Sequence, residues 1–166
     1  YWTTKYPNYR QDELLNEWGL KPEAFDNVVK VFMPFGHFDE MKERGIPVDE
    51  KFSIRISEIT DQEWVNVFNL QAVDPVAVLI TNVINKLAEH GGEYGFEDIF
   101  KEIEKDKSST SEVKGAVKSL FQTAKSWGIF DKYGTPLKQL VVGGRITVLD
   151  LSPYAHSAGS YSIRAL

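Results

Sequence analysis

Val142-Gly143-Gly144-Arg145-Ile146-Thr147-Val148-Leu149-Asp150-Leu151-Ser152 is the stretch whose reading decides the fold. Its β-branched run, Ile146 to Leu149, predicts a strand. Two arrangements compete for that strand. In one, Leu140-Val141-Val142 folds back across the glycine pair and pairs with Ile146-Thr147-Val148 as a hairpin. In the other, the run joins a larger sheet whose remaining members are distant in sequence.

Upstream of it the apolar spacing is helical. Val113, Ala116, Val117, Leu120, Phe121, Ala124 and Trp127 fall at i, i+3, i+4, i+7, i+8, i+11 and i+14, which predicts a long amphipathic helix from Ser111 to about Trp127. Phe96, Ile99, Phe100 and Ile103 predict another over Phe96 to Lys105. A third, carrying Val76, Leu79, Ile80, Val83, Ile84 and Leu87, opens at Asp74-Pro75 and stops at Gly91-Gly92. Before these, Thr60 and Glu63 have the spacing of a capping box for a helix with Trp64, Val65, Val67 and Phe68 on its apolar side.

The amino-terminal part is more mixed. Tyr1, Trp2, Tyr6, Pro7 and Tyr9 read as an aromatic loop that rests on a surface outside this segment. A short helix is predicted from Gln11 to Trp18, ended by Gly19. Val28 to Met33 reads as a buried strand, and Pro34 to Asp49, with Gly36, Gly45 and Pro47, as a surface loop. Phe52 to Ser57 alternates apolar and polar and predicts a half-exposed strand. The chain therefore divides into an α/β segment with two strands at 1–58, a helical subdomain at 59–138, and a hairpin or core strand with the start of a following helix at 139–166. Three helices ahead of a glycine-centred hairpin would make a winged-helix-like order.

Composition narrows the chemistry. With 166 residues and 42% hydrophobic content, the chain can bury a core of ordinary size. No apolar run reaches the ~18–20 residues a helical membrane span needs, and the expectation is a cytoplasmic protein with no membrane partner. Cysteine is absent, which excludes disulfides and thiol chemistry. The formal charge of -5, from 19 basic and 24 acidic residues, argues against a dedicated non-specific nucleic-acid binder. Both ends look cut: the chain starts at Tyr1-Trp2 and stops in Ser162 to Leu166, an apolar helix opening. An excised piece of a longer protein is expected.

The long helix offers Lys114, Lys118 and Lys125 to nucleic-acid phosphate, with Arg145 beside the glycine pair as a wing-tip contact. Between Glu97 and Lys125, however, six acids offset six lysines, and phosphate contact needs a local positive excess. Ile146 to Asp150 has the form of a Walker B strand, but no G-x-x-x-x-G-K-[ST] phosphate loop occurs. His37, His90 and His156 lack the spacing of a zinc site, and His156-Ser157 near Ser160 gives no nucleophile elbow. Asp39, Glu40, Glu43, Asp49 and Glu50 read as a soluble acidic loop. No catalytic, cofactor-binding or metal-binding residue is assigned in the segment.

The run Lys51 to Trp64, the helix ending Ser126-Trp127-Gly128-Ile129-Phe130-Asp131, and above all Val142 to Ser152 resemble the middle of HerA-type archaeal ATPases, the FtsK-related hexameric DNA translocases. That family places a G-R-x-T-V-x-D-L-S strand between its helical insertion and its Walker B strand. Tyr1 matches the tyrosine after the family's acidic strand, and Ser160 to Leu166 matches the start of the helix before Walker B. The resemblance implies a mixed α/β fold: incomplete RecA-like strands with a three-helix insertion, Ile146 to Leu149 being a core strand and Asp150 not the Walker B acid. It implies a parent P-loop NTPase that uses ATP and Mg, acts on DNA as a translocase or helicase and self-associates as a hexamer. The family's phosphate-loop lysine and catalytic glutamate have no counterpart here, so this segment is expected to be inactive alone. The alternative is a winged-helix-like DNA- or protein-binding module.

Overall fold

The computed structural model describes residues 5–154. The expectations placed on Tyr1, Trp2, His156, Ser157 and the run from Ser160 to Leu166 lie outside the described residues. The described chain forms two units, residues 5–51 with Pro136–Asp150 and Phe52–Thr135 with residues 151–154.

The first unit is built on β1 (Val29–Pro34), in which every residue except Lys30 is buried. Such a run, apolar on both faces, fits a strand covered from two sides. β1 pairs in parallel with β5 (Ile146–Leu149), in the register Val29 to Ile146, Val31 to Val148 and Phe32 to Leu149. The Ile146 and Asp150 amides donate to the Val28 and Phe32 carbonyls, both at 2.8 Å. On its other side β1 neighbours β2 (Glu50–Phe52).

This pairing corrects the hairpin expectation. Leu140 closes a single helical turn, α7 (Leu137–Leu140), and does not pair with β5. Val141 and Val142 are left 71% and 42% exposed, and β5 takes its backbone partners from β1 instead. Among the described residues β5 is an edge strand rather than a core one: Ile146 is 56% exposed and Leu149 45%.

The loop expected from Pro34 to Asp49 is also corrected, because Phe35–Glu43 is a helix, α2. Pro34 is its N-cap, with extended backbone, so the missing N–H costs no helical hydrogen bond. Gly36 falls in the first turn, where no interior bond depends on it. Phe38 and Met41, one turn apart, join Val29, Val31, Met33 and Val48 in the core of this unit. Nearer the amino end, a 3-10 turn (Tyr9–Gln11) leads into α1 (Asp12–Glu17), which buries no side chain, and Gly19 follows with φ of 68°.

The second unit is mostly helical: α3 (Asp61–Val67), α4 (Pro75–Glu89), α5 (Phe96–Lys105) and α6 (Ser111–Ser126). α4 packs against each of the other three, and α5 packs against α6. The Thr60–Glu63 capping box forms as its spacing predicts: the Glu63 amide donates to Thr60 Oγ1 at 3.2 Å, and the Thr60 amide to Glu63 Oε2 at 2.7 Å. Asp74 is the N-cap of α4, but its carboxylate accepts from the Gln71 amide instead of a helical one.

Trp64 is fully buried at the centre of this unit. Its ring lies 5.5 Å from Phe68 and 5.1 Å from both Phe121 and Phe130. The half-exposed strand expected at Phe52 to Ser57 is broken. Phe52 ends β2, Ser53 interrupts, and β3 (Ile54–Arg55) then pairs in parallel with β4 (Phe130–Asp131) before a 3-10 turn (Ile56–Glu58) follows at once. Its partner is two residues long, so there is nothing for a longer strand to bond. A parallel pair also stands where a winged helix would carry a hairpin. Tyr154 closes the unit, its hydroxyl donating to the Trp127 carbonyl at 2.6 Å.

The architecture is thus mixed α/β, with helices outnumbering short strands. Among the described residues no helix is long and apolar enough to cross a membrane.

Candidate nucleic-acid interface

The helix expected to face phosphate is α6. It starts where Thr110 Oγ1 accepts from the Val113 amide at 3.4 Å, with Glu112 in the first turn and Lys125 in the last, so its charges run with the helix dipole. Val117, Phe121 and Ala124 form its fully buried side. At 100° per residue Lys114, Lys118 and Lys125 fall within roughly 40° of one another and form one row along the helix.

That row leans on α5. Lys114 Nζ donates to the carbonyls of Glu104 and Asp106, satisfying oxygens at the open end of α5 that no helical amide reaches. Lys118 pairs with the Glu104 carboxylate, and Lys125 with Glu97 at 2.7 Å. The hydrogen bond from Lys118 and its charge hold the Glu104 carboxyl below the ordinary glutamate range. For these two lysines the neutral balance legible in the sequence is made pair by pair. Both pairs remain open to water, with 33% and 62% of the Lys118 and Glu104 side chains exposed and 53% and 70% of Lys125 and Glu97. Ion pairs this exposed are weak and exchange partners easily.

Arg145 belongs to the other unit and is held within it. Its guanidinium donates to the carbonyls of Gln139 and Leu140 at the end of α7, its Nε to Thr147 Oγ1 at 3.3 Å, and its plane stands 5.6 Å from the centre of the Phe32 ring. Instead of tipping a wing, Arg145 ties the turn before β5 to the sheet.

The acids of Asp39 to Glu50 do not gather into an acid/base pair. Asp39 meets Lys51 at 2.8 Å, and Glu40 meets Arg44 at 3.5 Å. Asp49 accepts from the Val31 amide at 2.7 Å and pairs with Lys5 at 2.8 Å, pinning the chain before β2 to β1. Burial raises the Asp49 pKa, but the bonds from Lys5 and Val31 outweigh it and leave the carboxyl below its usual value. Among the described residues no group of three His, Asp or Glu side chains is placed to hold a metal ion.

Sequence reading passed over Glu102. It is 7% exposed and bridges α4 to α5, pairing with Lys86 at 3.3 Å and Lys105 at 2.9 Å. Its position between Ile99 and Ile103 was the available signal, since it puts a carboxylate on the flank of the apolar stripe. The partners Glu97 and Glu104 carry no such local mark, because they lie 28 and 14 residues from their lysines. The chain matches no protein-family model, no curated protein and no solved structure.

Proposed function

We propose that this chain is the central segment of an ATP-driven DNA translocase or helicase of the HerA type, a FtsK-related hexameric ATPase of the cytoplasm. In that reading it supplies a strand and a helical insertion to a P-loop NTPase whose ATP- and Mg-binding residues lie elsewhere in the longer protein. One observation supports the reading above the others: the G-R-I-T-V-L-D-L-S run enters a parallel sheet beside β1 instead of turning back on Leu140 to Val142. Parallel pairing requires a crossover connection and is the habit of α/β sheets covered on both faces. The exposed apolar residues of β5 are consistent with a strand that has a further neighbour in a larger sheet. Coupling to ATP would run through subunit interfaces that switch between two packed states.

An antibody to this segment, used on source cells, tests the reading. A native product far above 18.9 kDa, whose purified form hydrolyses ATP faster with DNA, is the expected result. A product only of the segment's own mass would overturn it. The 166-residue chain by itself is expected to turn over no ATP above a mock preparation.

A second reading rests on the helical unit, which keeps the helix order of a winged-helix-like DNA- or protein-binding module. It would gain if the chain alone bound a duplex with an affinity falling steeply with salt.

A further inference from the structure

We propose that Glu97 and Glu104 of α5 act as an electrostatic latch on a phosphate-contacting face of α6, keeping Lys118 and Lys125 from the backbone of duplex DNA until an anion displaces them. The inference rests on the reading of the protein as one that acts on DNA. Three observations lead to it.

Lys118 and Lys125 lie in one row, about 10 Å apart along the helix axis, and each ends on a carboxylate of the neighbouring helix. Lys114 differs from them. Its ammonium is tied to the carbonyls of Glu104 and Asp106, where it completes the end of α5, so it is a fixed part of the fold.

Beside the row on the outer side of α6 run Ser111, Gly115, Ser119, Gln122 and Ser126, all exposed and none of them acidic or bulky, with the exposed Glu112 bordering this surface only in the first turn. A side-chain carbon added at Gly115 would meet nothing within 4 Å. A flat strand of sugar and phosphate can approach such a surface closely, and its hydroxyl and amide groups donate to phosphate oxygens. The cations that would hold the strand stand next to this surface but point away from it.

The exposure of both pairs makes the latch reversible, since a water-exposed lysine exchanges one oxyanion for another at little cost. It also explains a locally neutral surface without discarding the lysine row. Binding would be weak while the acids hold the lysines, and it would strengthen wherever the acids are neutralised.

The test uses the 166-residue chain and a fluorescein-labelled duplex, with anisotropy read from low to moderate salt. E97Q/E104Q is expected to tighten binding roughly tenfold at low salt and to steepen the slope of log affinity against log salt by about 2 units, for two freed phosphate contacts. D61N/E89Q, which makes the same charge change on α3 and α4, is expected to do much less. Adding Lys118→Gln and Lys125→Gln to the E97Q/E104Q chain should cancel its gain. Equal gains in the two double variants would overturn the latch, and so would no gain in E97Q/E104Q or a gain that survives loss of the lysines. DNA-stimulated ATP turnover is measured on the longer wild-type protein, so failure of the translocase reading is seen separately from failure of the latch.

Discussion

Phe121 is the side chain on which the helical unit can be tested most directly. It is completely buried, edge-on to Trp64 at 5.1 Å and to Phe68 at 5.4 Å. Phe121→Ala removes the ring and leaves a cavity against Trp64 and Phe68 in the core of this unit. Truncations of this kind cost about 3–5 kcal/mol, of which the two edge-on contacts account for roughly 0.5–1.5 kcal/mol each. Phe121→Leu keeps most of the volume and loses the ring geometry, so about 1–2 kcal/mol is expected. Gln122→Ala, one residue on and facing water, should lie within about 0.5 kcal/mol of wild type. Urea unfolding followed by far-ultraviolet circular dichroism gives all three values from midpoints at constant slope. The ordering Ala, then Leu, then the Gln122 variant is the content of the prediction. If Phe121→Ala cost under about 1 kcal/mol, or no more than Phe121→Leu, the packing described around Trp64 would be wrong.

Other perturbations probe separate parts of the structure. Gly134 has φ of 64°, and a Cβ there would sit 2.6 Å from Arg55 Cβ and 2.7 Å from the Arg55 backbone nitrogen. Gly134→Ala should therefore cost about 2–4 kcal/mol in the same unfolding assay. Thr60→Ala removes one half of the capping box and should cost about 1 kcal/mol. Glu102→Gln keeps the shape of the bridge from α4 to α5 but loses its charge, with about 1 kcal/mol expected after allowing for the exposure of both lysines. Hydrogen bonding from Lys105 leads the forces that lower the Glu102 pKa, against its burial. Because the folded value lies below the unfolded one, its contribution is complete above about pH 4.5 and is lost as pH falls through the folded pKa. A pH series of unfolding midpoints should show a smaller decline below pH ~4.5 in the Gln variant than in wild type.

Elements whose signals are local could be read from the sequence. α5 runs from Phe96 to Lys105 as its spacing predicts, and the capping box at Thr60 marks the start of α3 to the residue. α2 was hidden because Pro34 and Gly36 look like breakers. They occupy the cap and the first turn, where neither breaks anything, and the spacing of Phe38 and Met41 carried the better information. The placement of β5 depended on β1, far away in the chain. A glycine pair between Val142 and Arg145, with β-branched residues to either side, is equally good local evidence for a hairpin that does not form. The lysines of α6 could be found and set in a row, but their partners could not, since ion pairs between helices follow from packing rather than spacing. The same holds for Arg145, whose carbonyl partners exist only once α7 has turned.

The parallel partnership of Val29 with Ile146 also sets a schedule for synthesis. On a ribosome β1 emerges roughly a hundred residues before the strand that covers its flank, which at about 5–20 residues per second is a wait of many seconds. Through that interval the backbone edge of β1 that later receives the Ile146 and Asp150 amides stays unpaired, even though Phe38 and Met41 can already cover Val29, Val31 and Met33. The helices between the two strands hold their contacts over short stretches of chain and can fold while β1 waits. That open edge of β1 is therefore a place where the newborn chain would gain from a chaperone's shelter.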